Sequence, residues 1–134
     1  MFYSKLKPVF LGLALLLNFA LAAPAGAHHS AAMFDMEKEV ELKGTVKKFQ
    51  FTNPHVWIHL QVTNDDGTET LWKIEALNPN ALKRKGWKRN TFKEGDEVTV
   101  YGAPAKSGKH KANFIRAITA DGSELGQKQP DREH

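Results

Sequence analysis

The segment from His55 to Val62 reads His-Val-Trp-Ile-His-Leu-Gln-Val, and its strict alternation limits the folds open to this chain more than any other feature. Val56, Ile58, Leu60 and Val62 fall on one face of an extended strand, and His55, Trp57, His59 and Gln61 on the other. Such a strand needs an apolar interior on one side and hydrogen-bonding neighbours at its edges. Asn64-Asp65-Asp66-Gly67 follows as a hairpin turn with Gly67 at the φ > 0 position, and Thr68 to Glu75 returns as a third strand carrying Leu71, Trp72 and Ile74.

The same period runs through the flanking segments. Glu39 to Phe51 places Val40, Leu42, Gly44 and Val46 on alternate positions, then switches parity across Lys47 to Phe51, as a long first strand with a bulge does. Thr52-Asn53-Pro54 is a turn signal. Asn78 to Gly86 reads as a short helix, with Asn78 as cap, Pro79 in the first turn, basic residues in the last turn and Gly86 just beyond it. A fourth strand is expected over Glu97 to Gly102, with Val98 and Val100 inward, and a fifth over Ala112 to Ala120, with Phe114 or Ile115 and Ile118 inward. Five strands with one short helix between the third and fourth predict an all-β, OB-like barrel over residues 39–121. An SH3-like barrel, with the helix reduced to a decorated loop, is the competing architecture. Residues 122–134 are polar and are expected to form a disordered tail.

The N-terminus carries a different message. Lys5 and Lys7 precede an apolar run from Val9 to Ala23, and the small-residue segment ends Ala25-Gly26-Ala27, the layout of a secretory signal peptide over residues 1–27. The run is short for a span of about 20 residues, so the expectation is a processed chain with no transmembrane segment, periplasmic or secreted. Cleavage there leaves 107 of the 134 residues, enough for one domain, with residues 28–38 as an arm lying over it. Losing the two lysines lowers the formal charge from +4 to +2. With no cysteine, the fold has neither disulfides nor thiolate chemistry to draw on.

Several blocks carry a family resemblance: His28-His29-Ser30, Phe34-Asp35, Leu42 to Val46, Thr52-Asn53-Pro54-His55-Val56-Trp57-Ile58, Asn78-Pro79-Asn80, Arg84-Lys85-Gly86-Trp87 and Lys93 to Val98. Together they resemble the secreted bacterial family catalogued as domain of unknown function 6152. The resemblance covers almost the whole processed chain and implies export and a single domain. It implies no activity.

Three groups of residues can carry chemistry. A chain beginning at His28-His29 sets a free amine beside two imidazoles, a nitrogen donor set that suits Cu(II), and His55 is a candidate third imidazole. The same pair is also compatible with a solvated chain start, and His55 with a turn residue. His59 shares the outward face of His55, but at ~3.3 Å per residue the two stand about 13 Å apart and cannot chelate one ion alone. Trp57, between them, is a candidate stacking platform with His59 as a ligand contact, unless it packs under the arm through Met33 or Phe34. Lys83, Arg84, Lys85, Lys88 and Arg89 surround Trp87 as a basic patch, either for an anionic envelope component or as a solvated helix end whose tryptophan caps the core. Basic residues interleaved with an aromatic on such a barrel suit single-stranded nucleic acid, but export sets the expectation against that partner.

Catalytic signatures are missing. The chain has no Gly-rich phosphate loop and no His-Glu-x-x-His; Ser30 and Ser107 lack evident partners, and Asp35, Glu37 and Glu75 form no readable pair, so a binding module is expected rather than an enzyme.

Overall fold

A computed structural model describes residues 32–127. Its elements are β1 (Val40–Gln50), β2 (Trp57–Thr63), β3 (Glu69–Glu75), α1 (Pro79–Lys83), β4 (Glu97–Pro104), β5 (Lys111–Thr119) and β6 (Glu124–Gly126). The strands pair in the order β3-β2-β1-β4-β5, and a parallel β3–β5 pairing joins the two ends into a closed barrel. This is the OB-like barrel, with its helix at the β3–β4 junction. The helix is a real element: Asn78 Oδ1 accepts the Ala81 N–H at 2.9 Å, Pro79 opens the first turn, and Gly86 stands at φ 89° just past the end. The SH3-like alternative is therefore dropped.

Alternation explains the core, and its interruptions explain closure. Val46, Val56, Ile58, Leu60, Ile74, Val100 and Phe114 are fully buried. In β1 the register against β2 shifts between Val46 and Lys48, the bulge signalled by the switch of parity, and the shift returns Phe49 and Phe51 to the inward side. Gly44 is needed because a Cβ there would lie 2.2 Å from the Gln61 carbonyl oxygen. One end of the barrel is filled by aromatics. Trp87 meets Phe114, Phe92 and Phe49 at ring-centroid distances of 5.1, 5.5 and 6.4 Å, the first two edge-on, as the ring quadrupoles favour.

Four expectations are corrected. The second strand starts at Trp57 instead of His55, because Val56 is drawn into another pairing: its N–H donates to Leu77 O and its carbonyl accepts from Ala76 N. In β5 the inward residue is Ala117, while Ile118 is only half-buried. The register against β4 shifts between Tyr101 and Gly102, so Ile115 is an extra residue that reverses the parity. The region expected to be disordered from residue 122 contains β6, which turns back at Gly122 (φ 85°) and pairs Glu124 to Gly126 with β5. Leu125 packs against the core, and Gln127 N–H reaches Ile115 O. Finally, Phe34 does not serve Trp57. It is buried against Ala103 and Ala105, bridging to Ala105, and so ties the arm to the β4–β5 hairpin.

Candidate ligand cleft on the outer face

The registers line up the outward side chains of four strands. Across β1, β2, β3 and β5, one row runs Lys48, His59, Lys73, Lys111, and the next runs Gln50, Trp57, Glu75, Asn113. Neighbouring strands lie ~4.8 Å apart, so each row crosses about 14 Å of surface. Gln50, Trp57, His59, Lys73 and Lys111 line a cleft of about 220 Å³ between the two rows. Three cations in one row, an indole in the next and two side-chain amides give a surface that attracts an anion and stacks a ring.

His59 is fixed at the centre of this surface. Its Nε2 donates to Gln50 Oε1 at 2.9 Å, which leaves Nδ1 as the unprotonated nitrogen of the neutral ring. Partial burial, reinforced by the charges of Lys73 and Lys48, holds its pKa below the usual histidine range.

His55 sits past the other end of the cleft, where its Nδ1 meets Glu75 Oε1 at 2.6 Å. Glu75 is 6% exposed and stands opposite Trp57, so the one carboxylate in the two rows is engaged by an imidazole at the cleft's rim.

A larger concavity of about 470 Å³ lies over Lys43, Thr45, Glu97 and Thr119. Its lining contains no aromatic or histidine, and its Lys43 is paired with Glu41 at 2.8 Å. Size alone does not make it the better candidate.

Of the residues singled out in the sequence, Trp57 and His59 line the cleft. His28 and His29 lie outside the described residues. Among the described residues no three His, Asp or Glu side chains gather as a metal site, so His55 is not part of an assembled ligand set there. Lys83, Arg84 and Lys85 close the helix, with Lys88 and Arg89 in the loop beyond; all but the half-buried Lys85 are exposed. Trp87 is 2% exposed and belongs to the core, so this patch has no stacking ring of its own. Gln50, Lys73 and Lys111 were not anticipated. Their only signal is that each occupies a polar position within an alternating strand, and their convergence depends on registers between strands.

Comparison with known proteins follows the geometry. The family of unknown function DUF6152 matches residues 16–114. The chain belongs to this family. No curated protein matches the DUF6152 chain. Among solved structures, it is similar to the mitochondrial single-stranded DNA binding protein Rim1 of S. cerevisiae. One crystal form of Rim1 shows 12% identity and a TM-score of 0.48, with 62% of this chain and 93% of that chain covered. Another shows 10% identity and a TM-score of 0.46, with 69% and 98% covered. The expectation that nucleic acid is no partner is therefore withdrawn, since these barrel neighbours are DNA-binding proteins and the fold gives no ground for the exclusion. A likeness at this identity assigns no ligand to the DUF6152 chain. No helix among its described residues is long and apolar enough to cross a membrane.

Proposed function

We propose that this chain is an exported binding module that takes an anionic, ring-bearing ligand on the outer face of β1, β2, β3 and β5. The observation that carries the reading is the convergence of Lys73, Lys111, His59 and Trp57, from three strands, on one cleft. Lysines offer point charges to the anion, the indole offers a face to a ring, and Gln50 and Asn113 offer amides for orientation. Export rests on the leader pattern ending Ala25-Gly26-Ala27, and mass spectrometry of the processed N-terminus tests it. Binding is tested by tryptophan-fluorescence titration with two probes, an oligodeoxythymidylate and a sulfated oligosaccharide, at low and high salt. The expected result is saturable binding of at least one probe that weakens with salt and is lost in Trp57→Ala, because surface attraction is screened over ~8 Å at physiological ionic strength. Binding to neither probe at low salt, or binding indifferent to Trp57, overturns the reading.

A second reading is Cu(II) binding through His28, His29 and His55, favoured by the His55–Glu75 pair. A metal-ligating imidazole commonly donates its other N–H to a carboxylate, and Glu75 holds His55 Nδ1 in that manner. Copper titration of the chain that begins at His28 tests it. About one tight equivalent is expected, weakened in His55→Ala and abolished by one residue added ahead of His28. An unchanged affinity in both variants removes the proposal.

A further inference from the structure

We infer that His59 makes anion binding at this cleft proton-linked, so that the ligand is held more tightly as the pH falls. This deepens the anion-binding reading above and rests on it.

The geometry places one titrating group within a row of fixed positive charge. Lys48 on β1 and Lys73 on β3 stand directly opposite His59, and Lys111 on β5 is one strand further. The carboxylates of β3 that share the parity of Lys73 are engaged elsewhere: Glu75, in the adjoining row, with His55 at 2.6 Å, and Glu69 with Gln61 at 3.2 Å. Every formal charge facing the imidazole within its row is therefore cationic. Gln50 fixes the ring by accepting from Nε2, so a proton gained by His59 goes to Nδ1 and adds a fourth charge to the row.

Before an anion binds, that fourth charge is disfavoured. Burial and the two flanking lysines keep the ring neutral to a lower pH than an ordinary histidine. An anion seated among the lysines reverses both effects, because it neutralises their field and pairs with the imidazolium. Binding then raises the His59 pKa, and by reciprocity protonation of His59 raises the affinity. Above both pKa values the ring is neutral with or without ligand, and affinity is flat. Below both it is charged with or without ligand, and affinity is flat again at a higher level. Between these plateaus the affinity changes by about tenfold for each unit by which the ligand shifts the pKa. Cation clusters built of lysine alone lack this dependence, because ordinary lysine titrates near ~10.4.

Isothermal titration calorimetry of the processed protein tests this. The probes are the oligodeoxythymidylate and the sulfated oligosaccharide, whose anionic groups stay ionised between pH 5 and pH 8. Each titration is run in two buffers of different ionisation enthalpy, so that proton uptake is read directly. The expected result is about tenfold tighter binding at pH 5 than at pH 8, with net uptake of a proton at intermediate pH. His59→Gln should bind with an affinity that no longer changes between pH 5 and pH 8, whatever its absolute level, and should take up no proton on binding. Lys73→Gln should weaken binding throughout while keeping a pH slope, and His110→Gln should leave the slope intact. If wild type binds equally at both pH values, or if His59→Gln keeps the slope, the inference is overturned and the anion-binding reading stands. If neither probe binds at any pH, both are overturned.

Discussion

The His55 imidazole donates from Nδ1 to Glu75 Oε1 at 2.6 Å, joining the turn before β2 to the end of β3 through a carboxylate that is 6% exposed. Neither residue is adjacent in sequence, and the contact forms only because β2 and β3 are in register at Trp57 and Glu75. A buried carboxylate requires strong hydrogen-bond donors, and a bond to a charged group contributes about 1.5–3 kcal/mol. His55 is 38% exposed at its side chain, so water recovers part of that on deletion. His55→Ala is expected to lower the unfolding free energy by about 1–2 kcal/mol, read from urea denaturation. Glu75→Gln should cost less, because the amide oxygen still accepts. Equal stability of wild type and His55→Ala would show the pair to be energetically idle.

What the sequence made legible follows from where the information lies. Val56, Ile58, Leu60 and Val62 were readable as core because a period of two is written within one strand, and the bulge of β1 was readable because Val46 and Phe49 break parity in plain view. The half-turn of meaning lost at Ile118 has the opposite origin. The extra residue Ile115 is defined only against β4, so the parity of β5 cannot be read from β5 alone. β6 was illegible because Glu124 to Gly126 is short and polar, and its place depends on Leu125 finding the core and Gln127 finding Ile115. The cleft was half legible. Trp57 and His59 share a strand, whereas Gln50, Lys73 and Lys111 each come from another strand and meet them through pairing. Glu75 forms no pair readable from the sequence for the same reason, since it meets His55 only through the pairing of β2 with β3.

Close approach of two backbones gives the next expectation. A methyl group at residue 44 would stand 2.2 Å from Gln61 O and 2.8 Å from its carbonyl carbon, and both are main-chain atoms held in the β1–β2 ladder. No side-chain rotation relieves that overlap. Gly44→Ala is expected to destabilise the barrel by about 3 kcal/mol or more. Gly67→Ala, at a turn with φ 82° and open space around it, should cost only the left-handed conformation, about 1–2 kcal/mol. Thermal melts of the two variants measure the difference, and a milder effect at residue 44 than at residue 67 would contradict the register.

Asp121 organises the turn into β6. Its Oδ1 accepts from Thr119 Oγ1 and from Ser123 N–H at 2.9 Å, and these bonds to the charged form hold its pKa at about 2, below its usual 3.8. A depressed carboxylate pKa stabilises the fold above the unfolded value and loses that contribution as pH falls through the folded one. Asp121→Asn should therefore melt below wild type at pH 6, with the gap narrowing from about pH 4 down to about pH 2. A gap that stays constant over this window would show that the charge is not what the turn uses.

The two basic regions make competing claims on an anionic ligand, and charge reversal separates them. Lys73 and Lys111 sit in register on β3 and β5 and share a cleft with Trp57, so an anion there can use both charges and the ring together. Lys83 and Arg84 are exposed at the end of α1, and the tryptophan nearest them in sequence, Trp87, is 2% exposed within the aromatic core. Long-range attraction treats the two regions alike, since both raise the local concentration of anions over a screening length of ~8 Å. Only the cleft adds contact. The double reversal Lys73→Glu with Lys111→Glu is thus expected to weaken oligodeoxythymidylate or sulfated-oligosaccharide binding by tenfold or more, equivalent to about 1.4 kcal/mol, and to flatten its salt dependence. The equal change in net charge made by Lys83→Glu with Arg84→Glu should shift affinity by about threefold or less at physiological salt. Fluorescence titration at two salt concentrations reads both. If the helix pair proves the more damaging, the ligand lies across α1 and the outer-face cleft is not its site.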